Sequence, residues 1–209
     1  ILVGLVVDYM TRLMLGNNKK EVFRVSLLGA YRLSQLLGND TDINNALELL
    51  EGINDLEDNS IIYACKIVGY DVCGRGNIMG YQPVEFIEPD TNTIANIRVM
   101  INRSLKFIEK YGPVVMDGFT FEGGYTDLVS SGDGDFLTTD TLWDIKVSKN
   151  KPTKDHTLQL LMYYLMGKKS IHKEFDSITN LGIFNPRLNC VYLLDINNID
   201  SSIIDEVSE

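Results

Sequence analysis

The chain has 209 residues, 44% hydrophobic and 23% charged, a globular composition that supports one sizeable core or two small ones. With 19 Lys and Arg against 29 Asp and Glu the net charge is −10, which argues against a general basic nucleic-acid binder while leaving room for an acidic metal site or a small local basic patch. The longest apolar runs, "ILVGLVV" and "LLMYYLM", are too short to span a bilayer, so no membrane association is expected.

The chain begins at Ile1 rather than at a methionine, as a trimmed piece would, and its first run lacks the basic stretch of a signal peptide. Residues 1–15 read as a helix ended by Gly16, apolar nearly all round, with Asp8, Thr11 and Arg12 forming one polar stripe. A second helix is expected over 21–38, ending at Gly38. A third follows over 41–53 with Thr41 as its N-cap. "SIIYACKIVGYDVC" reads as a helix in preference to a strand. A Gly/Pro/Asn-rich loop follows over roughly 74–94, and then a helix over 95–112. Cys65, Cys73 and Cys190 lack any CxxC spacing, which points to free thiols in a reducing cytoplasm and to no zinc or iron–sulfur site.

From residue 113 the hydrophobic period changes to two. "PVVMDGFTF", "GGYTDLVSS", "GDFLTT" and "TLWDIKVSK" are strand-like pieces separated by turn residues. A helix is expected over 153–169 with Thr153 as N-cap. Two further strands, "SITNLGIFNP" and "NCVYLLDI", meet in a hairpin at Pro186-Arg187-Leu188. The order is helices first, then a three-strand meander, a helix and a hairpin, all in one domain of α/β class.

"TLWDIKVSK" carries the chemistry. Asp144 and Lys146 are two apart, so on a strand they share one face, and an acid and an amine are costly to bury there unless paired or bound to something. If the hairpin turns at Thr139-Asp140, Leu137 faces Leu142, Phe136 faces Trp143, and Asp135 faces Asp144 with their Cβ atoms about 5 Å apart. A three-residue loop would shift that register by one. Two adjacent carboxylates repel, and a divalent cation between them resolves the repulsion; oxygen ligands of this kind suit Mg²⁺ or Mn²⁺. Plainer roles stand beside this one: Asp133-Gly134-Asp135 as a turn, Lys146 as a solvated partner of Asp144, Asp8 as a partner of Arg12, and His156 as an exposed helix-start residue.

An acid, a hairpin and Asp-x-Lys on the next strand resemble the PD-(D/E)XK nucleases, the restriction-endonuclease-like superfamily. Gln159 and Tyr163, four apart on the following helix, are similar to the RecB-type exonuclease pattern. The resemblance is best over residues 123–195. It implies an αβββαβ core with a mixed sheet, drawn from residues 1–16 and 112–209, and a helical insertion over about 17–111 within a single domain 1–209. It implies Asp135, Asp144, Lys146 and Gln159 as catalytic residues, and Mg²⁺ or Mn²⁺ held by Asp135 and Asp144. RecB-like members often add an upstream His or Glu; no histidine precedes His156 here, so Asp8 is the expected substitute, ahead of Glu21 and Glu109. Asp127, in "GGYTD", also fits the family's first acid. The implied activity is metal-dependent phosphodiester hydrolysis, of DNA and as an exonuclease. The alternative is a non-catalytic module of the same fold that binds a protein partner or nucleic acid ends. Lys146 would orient or help deprotonate the attacking water.

Overall fold

The computed structural model describes residues 2–208, an α/β structure in which nine α-helices accompany one mixed five-stranded sheet among those residues. The chain divides into two compact units, Ile1–Leu105 and Lys106–Glu209. The expectation of one domain counted residues 1–16 with the sheet; in this division they belong to the helical unit. Among the described residues no helix is long and apolar enough to cross a membrane.

The first unit holds α1 (Val3–Met14), α2 (Lys19–Val22), α3 (Arg24–Leu37), α4 (Thr41–Glu51), α5 (Asp58–Ile67), α6 (Asp71–Gly74) and the start of α7 (Thr91–Tyr111). The helix expected over 21–38 is interrupted at Phe23, and Gly38 ends α3 in the left-handed conformation with φ 68°. Thr41 is not the N-cap of α4 but its first helical residue. Its N–H donates to Asn39 Oδ1 at 2.9 Å, so the chain is turned into the helix by Asn39 instead. "SIIYACKIVGYDVC" is helical, passing from α5 through a 3-10 turn into α6. Here α3 approaches closely: a Cβ on Gly29 would lie 2.0 Å from the Tyr70 carbonyl oxygen, so only glycine fits.

The second unit contains β1 (Met116–Phe119), β2 (Gly134–Leu137), β3 (Thr141–Ile145), α8 (Lys154–Lys169), β4 (Asn180–Asn185), β5 (Cys190–Asp195) and α9 (Ser201–Ser208). Strand order is β1-β2-β3-β4-β5, and β3–β4 is the parallel pair, joined by α8 as crossover. Period-two alternation gives the sheet two apolar faces. Leu137, Leu142, Leu181 and Ile183 pack with Leu160 and Leu161 of α8. On the other face Phe136, Trp143 and Phe184 pack with Phe107 from the last turns of α7.

Two expectations for this unit are corrected. "GGYTDLVSS" is not a strand but part of the loop from β1 to β2. Its polar groups bond locally instead of to a ladder: Thr126 Oγ1 accepts from Leu128 and Val129 N–H at 3.3 and 3.0 Å. A Cβ on Gly124 would lie 2.0 Å from the Met166 carbonyl, so this loop lies flush on α8. The terminal helix α9 was not anticipated, because the expected hairpin ended the pattern at Ile196.

Candidate active site

The hairpin from β2 to β3 turns at Thr139-Asp140, with Thr138 N–H donating to the Thr141 carbonyl at 3.0 Å. Leu137 pairs with Leu142 and Phe136 with Trp143. One step further along this register, Asp135 comes beside Asp144 on the face that α8 covers. Asp135 Oδ2 accepts the backbone N–H of Ile145 at 2.6 Å, which fixes its carboxylate against β3.

Asp144 is only 6% exposed. Its Oδ1 accepts from Lys146 Nζ at 2.9 Å, while its Oδ2 is buried with no hydrogen-bond partner among the described residues. Burial pushes the Asp144 carboxyl above the usual range, opposed by the Lys146 ammonium and by the nearby His156. Lys146 Nζ also donates to Gln159 Oε1 at 2.9 Å, and Gln159 Nε2 donates to the Tyr163 hydroxyl at 3.1 Å. The result is one continuous chain, Asp144–Lys146–Gln159–Tyr163, from β3 to the inward stripe of α8. Burial raises the Tyr163 hydroxyl, with Gln159 and Lys146 opposing and Asp144 and Asp133 adding to it.

Lys146 lies one residue beyond β3, yet its N–H still donates to the Phe184 carbonyl at 3.0 Å, so the β4 ladder holds its backbone. At the start of α8, His156 Nδ1 accepts the Thr153 N–H at 3.2 Å, a T-x-x-H version of the capping box around the expected N-cap. His156 is partly buried, and its imidazole lies near enough to Asp144 to oppose the rise of that carboxyl, where the sequence pointed to exposure.

Asp127 is exposed in the β1–β2 loop and lines a hollow with Met162, Met166 and Lys169 of the later turns of α8, away from the turn that carries Gln159. Asp8 lies in the first unit, where it pairs with Arg12 at 3.9 Å. Glu21 and Glu109 are exposed. Asn185 is a residue whose importance the sequence concealed. It is 1% exposed, and its Nδ2 donates to the carbonyls of Ser148 and Asn150 at 2.8 and 3.4 Å, pinning the loop after Lys146. Its only sequence signal was an Asn before Pro at a strand end.

Among the described residues no group of three or more His, Cys, Asp or Glu side chains is gathered for a metal ion. The acids here are two, Asp135 and Asp144, of which one presents a buried oxygen without a donor. A hard divalent cation suits that oxygen, because a buried unpaired carboxylate oxygen is otherwise costly and because Mg²⁺ sites commonly use one or two carboxylates. No protein-family model matches the chain, and neither a curated protein nor a solved structure matches it.

Proposed function

We propose that the second unit is a divalent-metal-dependent nuclease centre of the restriction-endonuclease-like type, hydrolysing phosphodiester bonds of DNA, with exonuclease action the form suggested by the Gln159 and Tyr163 pattern. The observation that carries this is the Asp144 carboxylate, buried beside Asp135 with Oδ2 undonated and Oδ1 held by Lys146. The element order from α7 through β1, β2, β3, α8 and β4 supports the αβββαβ reading.

A bound Mg²⁺ or Mn²⁺ would be held by Asp144 and Asp135 and would supply Lewis-acid polarisation of the phosphate and of water. The rest belongs to the chain. An ammonium has three N–H donors. Lys146 directs one to Asp144 Oδ1 and one to Gln159 Oε1, which leaves the third for the attacking water or a phosphate oxygen. Lys146 therefore acts as a positioned cation that orients water and offsets the negative charge growing on the phosphate. Gln159, held by Tyr163, keeps that amine on the sheet side of α8. Attack of water at phosphorus and cleavage of a P–O ester bond leaves a phosphomonoester and a hydroxyl end.

The test is calorimetric titration of Mg²⁺ and Mn²⁺ into wild type and Asp144→Asn, paired with a nuclease assay on Lys146→Ala. Expected are binding in wild type that Asp144→Asn loses, and a folded Lys146→Ala whose activity falls by about 10²–10⁴-fold. Full activity in Lys146→Ala would sink the mechanism. The net charge of −10 favours a second reading, a non-catalytic module of the same architecture that binds a protein partner or nucleic acid ends. That reading expects binding without cleavage and no dependence on Asp144.

A further inference from the structure

The charge of the whole chain hides a local reversal. Residues 146–154, "KVSKNKPTK", contain four lysines and no acid, in a chain where acids outnumber bases 29 to 19. Lys149, Lys151 and Lys154 are exposed. Among the described residues no carboxylate lies within ion-pair distance of any of the three, whereas Arg12, Arg75, Arg98, Lys146 and Lys168 each have one. Lys154 is also the first residue of α8, where the helix macrodipole disfavours a cation. Selection for stability alone favours an acid at that position. Three unpaired lysines gathered beside a helix N-terminus make sense as partners of an external anion.

The segment is not a loose tether. Ser148 N–H donates to the Lys146 carbonyl at 3.0 Å, Asn150 N–H to Ser148 Oγ at 3.0 Å, and buried Asn185 bonds the Ser148 and Asn150 carbonyls. Asn185 Oδ1 is itself engaged, by the N–H groups of Arg187 and Leu188 at 3.0 and 3.1 Å. At the far end Thr153 is tied to His156. The backbone is thus held from Lys146 to α8 while the lysine side chains stay free to reach outward. Lys149 to Lys154 spans at most about 17 Å of extended chain, enough for a few consecutive phosphates of a strand.

We propose that this lysine loop binds the phosphate backbone of the nucleic acid, with Lys149, Lys151 and Lys154 gripping phosphates that flank the scissile one presented to Asp144 and Lys146. The proposal rests on the nuclease reading above. It accounts for how a strongly acidic chain approaches a polyanion: the contact surface is a short segment, next to Asp144 and Lys146 in the chain, whose local charge opposes the net charge.

The test is fluorescence anisotropy of labelled single-stranded and duplex oligonucleotides with the full chain in EDTA, over about 50 to about 300 mM salt. Wild type is compared with Lys149→Gln/Lys151→Gln/Lys154→Gln. A charge-matched control, Lys168→Gln/Lys169→Gln/Lys173→Gln, changes the opposite end of α8 and its following turn; circular dichroism confirms that each variant is folded. The dependence of log Kd on log salt is expected to become shallower by about 2 for the single strand and by nearly 3 for the duplex in the loop variant, and to stay unchanged in the control. Wild type that binds while the loop variant keeps its slope, or while the control loses as much, overturns the lysine loop and leaves the nuclease reading standing. Wild type that binds neither oligonucleotide overturns the nucleic-acid reading itself, and this proposal with it.

Discussion

Two buried carboxylates differ in how their oxygens are satisfied. Asp71 is 0% exposed, yet both its oxygens are used: Tyr9 donates to Oδ2 at 2.8 Å and Ser26 donates to Oδ1, with Arg75 at 3.7 Å. Asp144 is buried almost as fully, but among the described residues only one of its oxygens has a donor. Burial raises the Asp71 carboxyl above the ordinary range, and the hydroxyls of Ser26 and Tyr9 with the Arg75 guanidinium oppose it. The sign of the linkage follows. Between the ordinary value and the raised one, the folded chain keeps a proton that the unfolded chain has released, so stability falls as pH rises through that window and levels off above it. Asp71→Asn is expected to stay folded and to flatten that fall. Urea midpoints of both proteins across the mildly acidic range check this, and parallel curves would refute it.

Among the elements, β3 meets opposite demands on its two faces. Asp144 looks toward α8, while Trp143 is buried on the other face between Phe107, at a ring distance of 4.8 Å, and Phe136. Trp143 is seated by Gly182 of the adjacent parallel strand, where an added Cβ would lie 2.3 Å from the indole ring. Gly182→Ala is therefore expected to push the indole and, through β3, the acid behind it. The overpacking costs about 1–3 kcal/mol, read as a lower thermal midpoint in the fluorescence of this single tryptophan. An unchanged midpoint would show that the strand pair yields at no cost. The hairpin carrying this strand was legible because alternation and a two-residue turn fix a register by counting. The loop before it was not, because "GGYTDLVSS" sets strand-prone Tyr125, Thr126 and Val129 between turn residues, and its local bonds to Thr126 and its seat against α8 emerge only when the chain is folded.

Taken whole, the molecule places its proposed metal ligands in the second unit, together with its one tryptophan. A ligand that binds only the folded state stabilises it by about 2.7 kcal/mol at a hundredfold excess over Kd. Mg²⁺ at that excess is expected to raise the Trp143-reported midpoint by several degrees. Asp144→Asn is expected to cancel the rise, and KCl at matched ionic strength not to reproduce it. A rise retained by Asp144→Asn would place the ion elsewhere on this acidic chain. The amino-acid order alone determined the α/β class, the shared face of Asp144 and Lys146 on a strand, and the spacing of Gln159 and Tyr163, since side-chain direction on a strand or helix follows from backbone period; it narrowed the hairpin to a register that sets Asp135 beside Asp144, and the folded turn at Thr139-Asp140 selected it. Tertiary structure alone decided that Asp144 Oδ2 is buried without a donor among the described residues, that Lys146 reaches Gln159 across from β3 to α8, and that Asn185 holds the lysine loop. Those facts depend on which surfaces come to cover one another, and no local period encodes burial.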